Sequence, residues 1–268
     1  MAAVERPVGA KYAASAMFLS AAAWFGYLFL LLPSFIVIPM SFGNVGEMVF
    51  PPKSFSTFLY DQFFFQSNWM DVTFRSFRVA IGATIVSIIL GVPAAYSIVR
   101  GNYPGKKYIT MLLLSPILVP IIVIALGLYF YFASLGITGS EASLVLGHAV
   151  YTTPFVIVTS MAGMRHVDQN LETAATIMGA GPIQTFVKVT LPLLRPAIFA
   201  GGLFAFLMSF DEVVIAYFIS KAGTATLPVK MFSSIQWEIS PVLAAVSTFL
   251  TALSLVICLV GALAQKKD

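Results

Sequence analysis

Two adjacent carboxylates, Asp211 and Glu212, lie deep inside an apolar run and are the side chains best placed to do chemistry in this sequence. The run opens near Arg195, about 15 residues earlier, and at ~1.5 Å of rise per residue that places them roughly 23 Å along a helix. An ionisable group at such depth is costly and faces a cavity, a partner or a solute path. Three readings follow: a path-lining carboxylate, an ion pair with Arg75 or Arg78, or a helix-end carboxylate among lipid headgroups. Neighbours on a helix point about 100° apart, so one can line a path while the other pairs. Phe210, Tyr217, Trp237 and Glu238 can add an aromatic and acidic lining, which suits an ammonium group because ring faces attract cations. The same aromatic residues also serve as anchors at a membrane interface.

No other catalytic or metal-binding pattern stands beside them. The segment Gly101-Asn102-Tyr103-Pro104-Gly105-Lys106-Lys107 has three residues between its glycines and Lys where a phosphate loop requires Ser or Thr, so it reads as a turn. His148 and His166 are isolated, the first as a packing residue and the second as a loop residue. The single cysteine, Cys258, sits in an apolar run and excludes an internal disulfide framework. Neither a catalytic residue nor a metal ligand set is expected.

Composition places these residues in a membrane. The chain of 268 residues is 59% hydrophobic and 10% charged, with a mean hydropathy of +0.93. Soluble domains carry about 25% charged residues. A hydrocarbon core of roughly 30 Å needs about 20 apolar residues. Six runs meet that length, near 17–41, 76–98, 109–133, 142–164, 194–218 and 241–263. The first is longer than the ~7–15 apolar residues of a signal peptide and is expected to remain as an anchor. One domain is expected over residues 1–268, embedded in membrane lipid.

Sidedness follows from the basic residues. With both termini inside, the inner segments hold ten Lys and Arg and the outer segments five, as the positive-inside rule requires. Four acidic residues are inside and seven outside, giving +6 on the inner face and −2 on the outer. This distribution explains the pI near 9.2 and implies no nucleic-acid partner. Two outer segments, 42–75 and 219–240, are expected to carry short amphipathic elements against the bundle.

The one sizeable inner segment is 165–193. Leu171–Met178 can form about two helical turns with an apolar face. Asp168 or Asn170 can cap its start by accepting from free backbone N–H groups. Gly179-Ala180-Gly181-Pro182 ends it, and a second short helix follows over Ile183–Val189. Ala174 and Ala175 allow close approach by another protein surface. From these residues alone, a connecting helix-turn-helix and a docking element are equally open.

The spacing Ala174-Ala175, Gly179, Val189-x-Leu191-Pro192 resembles the EAA loop of ATP-driven importer permeases. Thr173 stands where that family carries Glu, with Glu172 one place earlier, so an acidic contact is either absent or supplied by Glu172. The runs LLLSPILVPIIVIALGLYFYF (112–132), LGHAVYTTPFVIV (146–158) and SFDEVVIAYF with LPVKMFSSIQWEISPVLAAVST (209–248) resemble the spermidine/putrescine permease subunits, the second of each pair. The resemblance implies an all-α polytopic type I ABC importer permease of six transmembrane helices in a bacterial inner membrane. It implies no enzyme activity and no cofactor in this chain, with ATP and Mg used by partner subunits. The implied partners are a second, homologous permease, two ATP-binding cassette subunits and a periplasmic substrate-binding protein. Glu172, Thr173, Ala174, Ala175, Gly179, Val189, Leu191 and Pro192 would couple to the ATPase. Relatives carry polyamines, opines, phosphonates or ferric iron. A membrane scaffold or channel without ATP coupling is the reading from another class.

Overall fold

The computed structural model describes residues 10–44, 49–66, 68–237 and 240–265, and its regular elements are helices. In chain order they are α1 (Ala10–Ser41), α2 (Phe58–Asp61) running into a π-helical turn (Gln62–Gln66), α3 (Trp69–Arg100), α4 (Lys106–Leu114) closed by a 3-10 turn (Ser115–Ile117), α5 (Ile121–Ser134), α6 (Glu141–Met164), α7 (Gln169–Ile177), α8 (Pro182–Thr185) followed by a π-helical turn (Phe186–Thr190), α9 (Leu191–Leu193), α10 (Arg195–Phe210), α11 (Val214–Ile219), α12 (Leu227–Trp237) and α13 (Val242–Gln265). They form two compact units, Met1–Ser67 with Trp237–Asp268, and Asn68–Gln236.

In the first unit, α1 packs along α13. The described side chains of α1 are apolar around much of its girth, with Phe18, Trp24, Phe25, Leu28 and Phe29 all exposed. A helix that is apolar all round belongs in lipid or a buried bundle. Beyond it, the Tyr60 hydroxyl lies 2.8 Å from Ser41 Oγ, and Phe63 packs on Phe249 with ring centroids 5.4 Å apart.

In the second unit, α3, α6 and α10 form the central crossing. Ala80, Ala83, Ser87, Gly91 and Ala95 recur every three or four residues on the buried side of α3. Lipid tails are as apolar as leucine, so membrane helices associate through close packing at small residues and through interhelical hydrogen bonds. Both operate here. A Cβ on Gly201 of α10 would overlap Thr159 of α6, and Ser87 Oγ lies 2.8 Å from Thr152 Oγ1. Near the start of α3, α12 buries Leu227 and Val229, and Lys230 Nζ sits 4.2 Å over the Trp69 ring.

The expected spans differ from the helices in instructive ways. Among the described residues, three uninterrupted helices are long and apolar enough to cross a membrane, Met17–Ser41, Trp69–Arg100 and Glu141–Met164. The run at 76–98 starts earlier than expected, at Trp69, taking residues from the loop assigned to 42–75. The run at 109–133 is broken rather than continuous: Lys106–Ile117 and Ile121–Ser134 meet at 101°. Pro116 and Pro120 lack the N–H that a continuing helix needs, and Pro120 turns extended. The run at 194–218 also breaks, ending α10 at Phe210 and restarting α11 at Val214. Its other end meets Pro182–Leu193 at 75°. The sixth run corresponds to α13, 24 residues long.

Candidate functional site

The 165–193 segment is built by local turn chemistry. Asp168 caps α7, its carboxylate accepting from the Asn170 N–H at 2.9 Å. At the other end Gly179 takes φ +89°. Its N–H donates to the Thr176 carbonyl at 2.9 Å, and the Ala180 N–H reaches back to the Ala175 carbonyl at 3.0 Å. This paired closure satisfies two free carbonyls and requires a left-handed residue, which glycine adopts without a Cβ clash. Pro182 then opens α8 and Pro192 opens α9, at first-turn positions where a missing N–H costs nothing.

The faces of α7 divide the expected coupling residues. Thr173 and Ala174 are exposed, and Thr173 Oγ1 donates to the Gln169 carbonyl at 3.1 Å. Beyond them, Ile177 and Met178 are 81% and 82% exposed, and Ile183 of α8 is 81% exposed. Ala175 and Glu172 point the other way and are buried. Glu172 is tied inward: Arg100 Nε donates to its Oε2 at 3.0 Å, and Thr190 Oγ1 donates to its Oε1 at 3.0 Å. Arg100 also donates to the Val167 carbonyl at 3.2 Å. Glu172 therefore offers no carboxylate to the exposed face. Val189, Leu191 and Pro192 are half-buried, and Leu191 packs against the cluster of Val92, Val156 and Ala205. Sequence reasoning missed Arg100 and Thr190 as partners. Arg100 was legible only as a basic turn residue.

The second site is the break between α10 and α11. A groove of about 510 Å³ is lined by Ile121, Tyr151, Phe210, Asp211, Glu212 and Val213, among others. Asp211 ends α10 and is exposed. Its side chain makes no hydrogen bond or ion pair among the described residues. Glu212 is 5% exposed and caps α11, accepting from the Ile215 N–H at 2.8 Å and the Ala216 N–H at 3.0 Å. Behind it, His148 of α6 places Nδ1 2.8 Å from Ser209 Oγ and Nε2 3.6 Å from Glu212 Oε2. The two carboxylates thus sit on a chain break, not on successive positions of one helix, as the sequence had suggested. The arginines weighed as their partners are engaged elsewhere: Arg78 with Glu141 at 2.8 Å, and Arg75 with the Ala225 carbonyl at 3.0 Å.

The remaining expected lining disperses. Phe210 stays at the groove and packs on Phe77, centroids 4.9 Å apart. Tyr217 is outside the groove lining and meets Phe232 at 5.9 Å. Trp237 is 83% exposed and falls in the other unit. Glu238 lies outside the described residues. Tyr151, which no sequence pattern singled out, lines the same groove as Asp211.

Known proteins resemble this chain in sequence and in fold. The family described as binding-protein-dependent transport system inner membrane component matches residues 83–268. The putrescine transport system permease protein of Escherichia coli (strain K12) is 32% identical over 232 residues, 84% of this chain and 82% of that protein. The spermidine/putrescine transport system permease protein of Haemophilus influenzae is 29% identical over 242 residues, 90% of this chain and 94% of that protein. Among solved structures, a bacterial ABC transporter involved in the import of the acidic polysaccharide alginate superposes with a TM-score of 0.76 at 15% identity, covering 98% of this chain and 99% of the other. The inward-facing methionine ABC transporter gives 0.58 at 16% identity, covering 72% and 92%. The family match and the relatives make this chain a member of the binding-protein-dependent transport system inner membrane components, a permease subunit of an ATP-driven importer.

Proposed function

We propose that the chain forms one half of the solute path of an importer for polyamines or related small cationic solutes. The observation that carries the cargo is the unpaired Asp211 carboxylate in the groove with Tyr151 and Phe210. A cation leaving water for a low-dielectric path needs compensating charge, because an unpaired charge there costs several kcal/mol. An aromatic wall adds attraction for ammonium groups. The relatives named for putrescine and spermidine support the same cargo.

The assembly in this reading pairs the chain with a second, homologous permease, two ATP-binding cassette subunits and a substrate-binding protein outside. Its two compact units work as a single permease domain over residues 1–268, with both termini on the cytoplasmic side of the inner membrane. The exposed Ile177, Met178 and Ile183, with Ala174 between them and the helix start, form the face that meets an ATPase. ATP and Mg act in that partner. ATPase closure moves α7, and the spans open one side at a time.

The test is import of labelled putrescine into vesicles holding the assembled complex. Uptake that requires ATP and is competed by spermidine is the expected result. ATP-dependent complex formation without uptake of either amine would remove the polyamine cargo and leave opines, phosphonates or ferric iron. Purification of the chain without any ATPase would favour a scaffold or channel instead.

A further inference from the structure

The helix that faces the ATPase is joined to α3 by side chains alone. Along the chain, α7 connects to α6 through the Arg165–Asp168 turn and to α10 through residues 178–194. Arg100, at the end of α3, is 72 residues away in sequence from Glu172. Yet Arg100 holds Glu172 Oε2 at 3.0 Å and the Val167 carbonyl at 3.2 Å. Thr190 holds the other Glu172 oxygen at 3.0 Å. Three segments meet at one carboxylate, the end of α3, α7 itself and the π-helical turn after α8, and Arg100 adds the turn before α7 through the Val167 carbonyl. The side chains are well covered, at 16% exposure for Arg100 and 9% for Glu172. A second contact runs alongside, with the Tyr96 ring of α3 4.8 Å from the Phe186 ring.

We propose that Arg100, Glu172 and Thr190 form a rigid joint that carries movement of α7 directly into α3. This rests on the reading of α7 as the ATPase-facing helix. Charge-assisted hydrogen bonds are short and strongly directional. A covered carboxylate stripped of one partner is left with a large desolvation penalty, so the joint holds as a unit or fails as a unit. The central helix α3 packs on both α6 and α10. A joint at its end passes a displacement at α7 to all three helices together, where the chain connections alone would pull only α6 and α10. In this arrangement Glu172 is a positioning residue and the exposed face beside it does the docking.

The test reads the joint itself and needs no cargo. Cys258, the single cysteine, is replaced by Ser, and spin labels are placed at Ser97→Cys on α3 and Asn170→Cys on α7, both exposed positions. The assembled complex is measured with and without a non-hydrolysable ATP analogue and magnesium. The wild-type joint is expected to give one narrow distance distribution with the same mean in both states. Glu172→Gln is expected to broaden it and make the mean depend on nucleotide, while the ATPase still co-purifies. Thr190→Val, which removes one hydrogen bond and keeps the shape, is expected to do the same to a smaller degree. It carries the test if Glu172→Gln is absent from the membrane. A wild-type distance that shifts with nucleotide overturns the proposal, as does a variant distribution that stays narrow and nucleotide-independent. Absence of the ATPase from unlabelled wild-type complex would instead remove the docking reading, which separates the two failures.

Discussion

Asp211 and Glu212 are neighbours in sequence and opposites in use. Glu212 is consumed by the structure, its oxygens accepting the first free N–H groups of α11. Asp211 keeps its carboxylate free at the groove. Asp211→Asn keeps size and hydrogen bonding and removes charge. Losing one compensating charge for a desolvated cation is expected to lower uptake per assembled complex by about tenfold or more, since each ~1.4 kcal/mol is a factor of ten. Thermal unfolding of the purified complex should not move. Wild-type uptake per complex would place Asp211 outside the path. Glu212→Ala should behave in the opposite manner, losing on the order of 1–2 kcal/mol of local stability with the two N–H groups unsatisfied. A Glu212→Ala complex that melts like wild type but imports poorly would exchange the two roles. The sequence displayed both carboxylates. It did not display their division of labour, because the break that separates them depends on Ser209, His148 and the start of α11 coming together in space.

At the scale of elements, what is local was legible and what is long-range was not. The Asp168 cap and the Gly179 closure are formed by residues within a few positions of one another, and their chemistry is readable in the sequence. The Glu172–Arg100 contact joins distant residues and left no periodic signal. The 109–133 run misled for a related reason: its hydropathy is continuous while two prolines interrupt its backbone hydrogen bonds. For α7 the faces now separate two effects. Gly179→Asp forces a side chain into φ +89°, a left-handed conformation that costs L residues roughly 1–2 kcal/mol. Ala175→Glu drives a charge into a site only 6% exposed and should disturb the packing of α7 itself. Both are expected to abolish uptake while the protein remains in the membrane. Ile177→Asp alters only the exposed face and should release the ATPase on gentle purification without lowering the amount of permease. Retention of the ATPase and normal import by Ile177→Asp would move the docking face elsewhere.

At the scale of the molecule, the count of crossings turns on the bent pairs. A broken pair of helices either crosses the membrane once or enters and leaves on the same side, and the two choices invert the sidedness of everything between. The α4–α5 pair measures about 18 and 21 Å along its arms at ~1.5 Å per residue. Bent by 101° from a straight line, the arms reach roughly 25 Å end to end, close to the ~30 Å hydrocarbon core. Charge agrees with a crossing. Arg100, Lys106 and Lys107 flank the turn before α4, and residues 135–140 after α5 contain no Lys or Arg. Six crossings then put both termini and residues 101–105 on the cytoplasmic side, with 42–57 and 135–140 outside. Reporter fusions after Asp268 and within 42–57 should report opposite sides. They test the parity of the whole chain but are blind to two re-entrant pairs, which cancel. The decisive pair of fusions is at 101–105 and 135–140, one on each side of the bent pair. Opposite sides at those two positions make α4–α5 a broken span. The same side at both makes it re-entrant and reduces the number of crossings.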